Sequence, residues 1–314
     1  MLRRSALLAL PAFLAGIGGA TVLWGNQAAA IDAQPALVAG ANVQAAAPAA
    51  IVEAADAVPV VAPPAAAPGT RSKVIKEVLP SSVRIQLLRE GSVSRAASGV
   101  VIGFRKEAEG HVGYVITNTH VVETKDPEGT TIQVLVDRKG KTSSYAARVV
   151  ALGEVPDMDL ALLEVPDLVG RAAELVSDSD LELGDDVVAV GAPFGRGLSI
   201  SSGIVSQLDW DDAGAAQAFK TDAPIGYGAS GGGIFRVPDG KLLAVIEGYR
   251  TAKVSIPMAE KSYSFDVPMP GETFAAPAAK VRRFLKSRGV AHLVAGLFPG
   301  EKLEAKPAVE TAAR

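Results

Sequence analysis

The sequence predicts an all-β fold of sandwich or barrel type with one C-terminal helix, and three observations carry that expectation. From Ser82 onward, short alternating or apolar runs are separated by Gly, Pro, Asp and Asn, which is how strands joined by turns read. One helical pattern stands near the end. The leading segment is different in kind: 24 of the first 70 residues are Ala, and between Ser5 and Thr70 only Asp32, Glu53 and Asp56 carry charge.

Taken in order, Met1-Leu2-Arg3-Arg4 precedes an uncharged stretch that ends at Asp32, apolar from Ala6 to Trp24, with small residues at Ala28-Ala29-Ala30. A positive start, an apolar middle and a small-residue end describe a secretory signal peptide over residues 1–30. An uncleaved membrane anchor is the rival, because about 20 apolar residues can span a bilayer. Both leave Arg3 and Arg4 in the cytoplasm and export the remainder, to the periplasm or anchored to the inner membrane facing outward. Residues 31–70, with Pro59, Pro63, Pro64 and Pro68, read as an extended Ala/Pro linker.

Strands are expected at Val83–Leu88, Gly99–Phe104, Gly113–Thr117, Thr131–Val136, Tyr145–Leu152 and Leu160–Val165. A second set follows at Val187–Gly191, Leu198–Gln207, Phe219–Thr221, Gly233–Val237, Lys241–Tyr249 and Ser262–Val267. The helix starts with Pro277 at its first position, carries Val281, Phe284 and Leu285 on one face, and stops at Gly289. Its Lys280, Arg282, Arg283, Lys286 and Arg288 read as a solvated face. The globular part is placed at residues 71–290, with a disordered tail over 291–314.

Composition removes several classes of function. A formal net charge of −3 does not suit a non-specific nucleic-acid binder, which needs an excess of cations to displace counterions. The chain has no Cys and three His, so no thiolate site, disulfide scaffold or metal-ligand cluster is expected, and no cofactor is implied.

Three stretches carry chemistry. His120 follows the apolar run Gly113–Thr117; Asp157 and Asp159 precede the run Leu160–Val165; Ser230 lies in Gly228-Ala229-Ser230-Gly231-Gly232-Gly233. A serine hydroxyl becomes a useful nucleophile when a histidine takes its proton and a carboxylate fixes the imidazole. Glycines around the serine allow a tight turn whose amides can converge on an oxyanion. A lone histidine is more often structural, a Gly-rich turn is common, and an Asp before a strand is a common cap. The order His, Asp, Ser, each at a strand edge of one all-β pattern, reverses that reading. His111, in a polar loop, and His292, in the terminal segment, do not compete. Gly228-x-Ser230-x-Gly232 also fits a nucleophile elbow, but here a strand rather than a helix follows, and only His292 lies downstream.

With these motifs in place, the chain over roughly Ser72 to Lys286 resembles the HtrA/Deg family of trypsin-like serine proteases. Leu183–Gly195, Ser201–Ser206 and Phe274–Pro277 add to the match, and they make Ser255–Glu272 an apparent insertion able to cover or line the cleft. The resemblance implies a chymotrypsin/trypsin-like double β-barrel with His120 and Asp159 in the first barrel and Ser230 in the second. Ser230 is then the nucleophile, His120 the general base and acid, and Asp159, rather than Asp157, the orienting carboxylate. The backbone N–H groups of Gly228 and Ser230 form the oxyanion hole. The substrates implied are unfolded or flexible proteins, and the assembly implied is a homotrimer. Family members usually carry PDZ domains after the protease, whereas about 24 residues follow the helix here. Ala229 stands where the family commonly has Asn. Pro224, with Ile225 and Gly226, occupies the specificity-pocket floor, where an Asp would select Arg or Lys. Asp222 reads as a turn or cap residue. The alternative function is a catalytically silent, membrane-tethered binding or chaperone-like protein that uses the same cleft.

Overall fold

A computed structural model describes residues 70–258 and 261–298. The expected signal peptide or anchor, nearly all of the linker, and the tail after Phe298 lie outside the described residues. Among the described residues, no helix is long and apolar enough to cross a membrane.

The chain enters through helix α1 (Thr70–Val78) and builds β1 (Ser82–Arg89), β2 (Ser92–Lys106) and β3 (His111–Thr117). A single turn of helix, α2 (Thr119–Val122), precedes β4 (Thr130–Arg138), β5 (Lys141–Leu152) and β6 (Ala161–Pro166). These strands close into a barrel in the order β1-β2-β3-β6-β5-β4. The hairpins are cut by two-residue turns with both residues at positive φ: Glu90-Gly91 joins β1 to β2, and Lys139-Gly140 joins β4 to β5. That backbone twist matches the twist of the flanking strands, which sets their register.

A second closed barrel follows: β7 (Asp186–Gly191), β8 (Ser199–Trp210), β9 (Ala216–Thr221), β10 (Gly233–Arg236), β11 (Leu242–Met258) and β12 (Lys261–Pro277). Its order is β10-β11-β12-β9-β8-β7. The double β-barrel is thus the fold, each sheet closing on itself. Alternation sorts the side chains. Ala244 and Ile246 of β11 fill the second barrel, while Val245 joins a core that also takes Ile116, Leu160 and Leu162 from the first. The apparent insertion is the outer part of the β11–β12 hairpin, paired from Thr251↔Pro268 to Met258↔Lys261. β9 pairs with β12 only at Thr273, Phe274 and Ala275, so among the described residues the outer hairpin has no third strand.

The C-terminal helix α3 (Ala278–Ser287) buries Val281, Phe284 and Leu285, each worth roughly 1.5–3 kcal/mol on complete burial. Four expectations need correction. Pro277 is the N-cap and last β12 residue, one position before the helix, because its extended ψ of 162° keeps it in the strand. Lys280 is not part of a solvated face: its side chain is 15% exposed and ion-paired with Glu247. Order also continues beyond residue 290. A turn of 3-10 helix, Ala291–Leu297, packs Val294 and Leu297 into the core between the barrels, against Gly103 of β2. Finally, α1 was not anticipated; it buries only Val74 and Val78, a stripe too short to register as a periodic pattern.

Candidate active site

The His120 side of the site is built on the first barrel. β3 ends at Thr117, and α2 turns the chain so that the His120 backbone N–H donates to Asp159 Oδ1 at 2.9 Å. His120 Nδ1 meets Asp159 Oδ2 at 2.5 Å. Asp159 is 0% exposed, and a carboxyl group so buried needs its oxygens hydrogen-bonded, as they are here. Pairing at Nδ1 assigns the proton there and leaves the lone pair on Nε2. The loop that carries Asp159 is fastened to the same turn. Asn118 Nδ2 donates to the Asp159 carbonyl (2.8 Å), and Thr119 Oγ1 donates to the Leu160 carbonyl (2.8 Å) while accepting from Gly153 N–H (3.1 Å). Asp157 sits exposed in the preceding turn and does not reach His120. His111 bonds the Leu168 carbonyl and His292 the Gly289 carbonyl, both apart from Asp159.

Ser230 comes from the second barrel on a turn that only glycine can make. Gly228 has φ +92°, and a Cβ there would stand 2.7 Å from the Ala192 carbonyl oxygen. Gly231 has φ +81°, and its Cβ would meet Ser98 O and Thr117 Oγ1 of the first barrel at 2.2 Å. The turn is therefore pressed against strands β2 and β3. Ser98 ties it there: its N–H donates to the Ser230 carbonyl (2.9 Å), and its hydroxyl donates to the Gly228 carbonyl (2.7 Å) while accepting from Ala192 N–H (2.8 Å). The Tyr227 carbonyl accepts from Phe194 N–H at 2.7 Å. The carbonyls of Tyr227, Gly228 and Ser230 are thus all engaged elsewhere. Among the described residues, the N–H groups of Gly228 and Ser230 donate to no protein acceptor. Ala229 is buried in the second-barrel core against Gly191, so its side chain has no part in the cleft.

The two sides are close but not joined. The Ser230 hydroxyl donates to the Glu247 carbonyl at 3.5 Å, a weak contact, and among the described residues no hydrogen bond links it to His120.

Around this turn, Pro224 is exposed, and Ile225 is half-buried against the second-barrel core. The Gly226 carbonyl accepts from Ala229 N–H. Asp222 is engaged elsewhere, its Oδ1 accepting from Ile204 N–H in the middle of β8 at 2.7 Å. Phe194 and Tyr227 are 70% and 63% exposed, and their rings lie 6.3 Å apart, with Tyr249 continuing the row 5.7 Å beyond Tyr227. Burial pushes the Tyr249 hydroxyl well above its usual range, so it stays neutral. A further link runs from Arg84, whose guanidinium holds Asp137 in a bidentate pair (2.6 and 2.7 Å) and donates to the Gly195 carbonyl at 2.9 Å.

Reasoning from sequence missed Ser98, Asn118, Thr119, Glu247 and Arg84. Ser98, Arg84 and Glu247 leave only the signal of a buried serine or charge inside an apolar strand, Asn118 and Thr119 only their place beside His120, and neither says what they touch.

Residues 97–245 match the trypsin-like peptidase domain family. Serine protease HTRA1A of Danio rerio is 31% identical over 227 residues, covering 68% of this chain and 40% of that protein. The periplasmic serine endoprotease DegP of Escherichia coli is 36% identical over 152 residues, covering 47% of this chain and 29% of the relative. The chain thus spans well under half the length of these curated relatives. Among solved structures, Deg5 superposes with a TM-score of 0.51 at 23% identity, over 72% of this chain and 95% of that one. The HtrA-type protease AlgW, determined with a tripeptide, gives 0.50 at 25% identity over 71% and 64%.

Proposed function

The chain belongs to the HtrA/Deg family of trypsin-like serine proteases, and from that premise we propose that it is an exported serine endopeptidase acting on unfolded or flexible protein through His120, Asp159 and Ser230. The observation that carries the reading is the buried Asp159–His120 pair facing a glycine-made serine turn whose neighbouring carbonyls are tied back. Ser230 Oγ leaves its weak contact with the Glu247 carbonyl, gives its proton to His120 Nε2 and attacks the scissile carbonyl carbon. Asp159 stabilises the imidazolium that forms. The developing oxyanion takes the free N–H groups of Gly228 and Ser230, where losing one such donor costs on the order of 100- to 1000-fold in rate. The imidazolium then protonates the leaving amine, and water, deprotonated by the same histidine, releases the acyl group from Ser230.

Export is supported by Arg3-Arg4, the uncharged run to Asp32, and the periplasmic name of the bacterial relative. Substrate choice follows from charge. Pro224, Ile225 and Gly226 bring no carboxylate to the pocket floor, and Asp222 is committed to Ile204. A buried ammonium or guanidinium would lose hydration without a partner, at a cost of roughly several kcal/mol, whereas an aliphatic side chain gains about 1.5–3 kcal/mol. The exposed Phe194 and Tyr227 rings add an apolar rim beside the serine turn. Cleavage after Val, Ala, Ile or Leu is expected. Digestion of a disordered protein with product sequencing tests this: Ser230→Ala should abolish cleavage, and a dominant Lys or Arg before the cut would refute the pocket.

A further inference from the structure

Glu247 is a buried acid for which the proposed mechanism has no use. It lies on β11, where Val245 faces the core shared by the two barrels and Ile246 faces the inside of the second. Its side chain is 11% exposed, and its backbone carbonyl is the group that Ser230 Oγ touches. The adjoining Ile246 exchanges backbone hydrogen bonds with Gly231 and Gly232, so this strand directly backs the nucleophile turn. Lys280 of α3 donates to Glu247 Oε1 at 2.9 Å and is itself only 15% exposed. A lysine in the first turn of a helix opposes the helix dipole, so its position is explained by this partner rather than by the helix.

Arg288 pairs with Glu154, which opens the loop carrying Asp159, at 3.1 Å. Burial pushes the Glu247 carboxyl up and Lys280 pulls it down; Asp159 and His120 are the next charges it feels, with opposite signs.

We propose that the Glu247–Lys280 pair is a positioning unit of the active site, holding a second carboxylate beside the Asp159–His120 pair in neutralised form and so fixing the charge balance at the imidazole. This rests on the protease reading above. Among the described residues, the charged groups that bear on His120 are Asp159 before β6, Arg95 of β2 (bonded to the carbonyls of His120, Val121 and Glu123), and Glu247 of β11 with its partner Lys280 of α3. Of these, Glu247 and Lys280 form the pair that links the strand behind Ser230 to the helix. Removing Glu247 leaves an uncompensated cation, which disfavours the imidazolium; removing Lys280 lets the buried Glu247 carboxyl, already held above its ordinary range, take up a proton, which leaves the charge balance at the imidazole nearly as it was.

The test is the rate at which a fluorophosphonate labels the full chain as a function of pH. Glu247→Gln should move the acid-side midpoint down by about half a pH unit or more, whereas Lys280→Met should move it far less. The double substitution should return it towards the wild-type value, and Glu247→Asp should leave it nearly unchanged. A purely structural pair would lower the rate or the yield of folded protein without moving the midpoint in Glu247→Gln and restoring it in the double variant. Glu247→Gln keeping the wild-type midpoint, or the double substitution keeping the shifted one, would overturn the proposal. A wild type that is not labelled at any pH fails differently, because it refutes the protease reading and the role of the pair with it.

Discussion

The two halves of the site are held by different means. On the first barrel, side chains lock the geometry: Asp159 takes two hydrogen bonds from His120, and Asn118 and Thr119 bind the acid's loop to the histidine's turn. On the second, Ser230 rides a glycine turn held by Ile246 and Phe194 of its own barrel and, across the junction, by Ser98 of the first. The His120–Asp159 pair is therefore fixed within its own barrel, while the serine turn depends also on the junction between barrels. The Ser230 hydroxyl contacts the Glu247 carbonyl rather than His120.

The largest effect should come from breaking the rigid half. Asp159→Asn keeps the shape but presents an amide where Nδ1–H needs an acceptor, so kcat should fall by about 10⁴-fold. Steady-state kinetics on a peptide substrate would show it, and a loss below tenfold would mean that Asp159 does not orient the base.

A smaller loss is expected on the adjustable half. Ser98→Ala removes the hydrogen bond to the Gly228 carbonyl and the acceptor for Ala192 N–H. Freed in this way, the turn should spend less time with its N–H groups available to an oxyanion. A roughly 10- to 100-fold lower kcat is expected, with about 1–2 kcal/mol lost in stability. Full activity in Ser98→Ala would show that the turn orders itself, and the contrast between the halves would fall.

The smallest effect on activity is expected where the change is mainly in stability and depends on pH. The Arg84 guanidinium holds the Asp137 carboxyl below its ordinary range, so the pair's contribution is complete above the unfolded-chain value and is lost as pH falls through the lower folded value. Asp137→Asn should cost about 1.5–3 kcal/mol near neutrality, from the loss of charge-assisted hydrogen bonds to a largely buried arginine. Wild type and variant should converge in acid. Denaturant melts at several pH values check this, and a gap that widens towards acid would contradict it.

Much of this layout was legible because barrels are built from local rules. Val83, Ile85 and Leu87 alternate with polar residues, and the runs are separated by Gly, Pro, Asp and Asn, although the particular turns Glu90-Gly91 and Lys139-Gly140 emerge only from the structure. His120, Asp159 and Ser230 stood out because each sits where a strand meets a loop. What escaped is non-local. Ser98 meets Gly228 across 130 positions, and Glu247 meets Lys280 across 33, neither with a spacing that a period could signal. The turn at Ala291–Leu297 escaped for a different reason: its buried Val294 and Leu297 follow a three-residue repeat too short to distinguish from a tail.

The central claim is that His120, Asp159 and Ser230 act as one nucleophilic unit. Fluorophosphonate labelling of the full chain, followed by peptide mapping and repeated with Ser230→Ala and His120→Ala, tests it most directly. Covalent modification at Ser230 in the wild type, absent in Ser230→Ala and slowed by several orders of magnitude in His120→Ala, is the expected result. A folded wild type left unmodified at Ser230 under all conditions tried would contradict the claim and favour a protein that uses the same cleft only to bind.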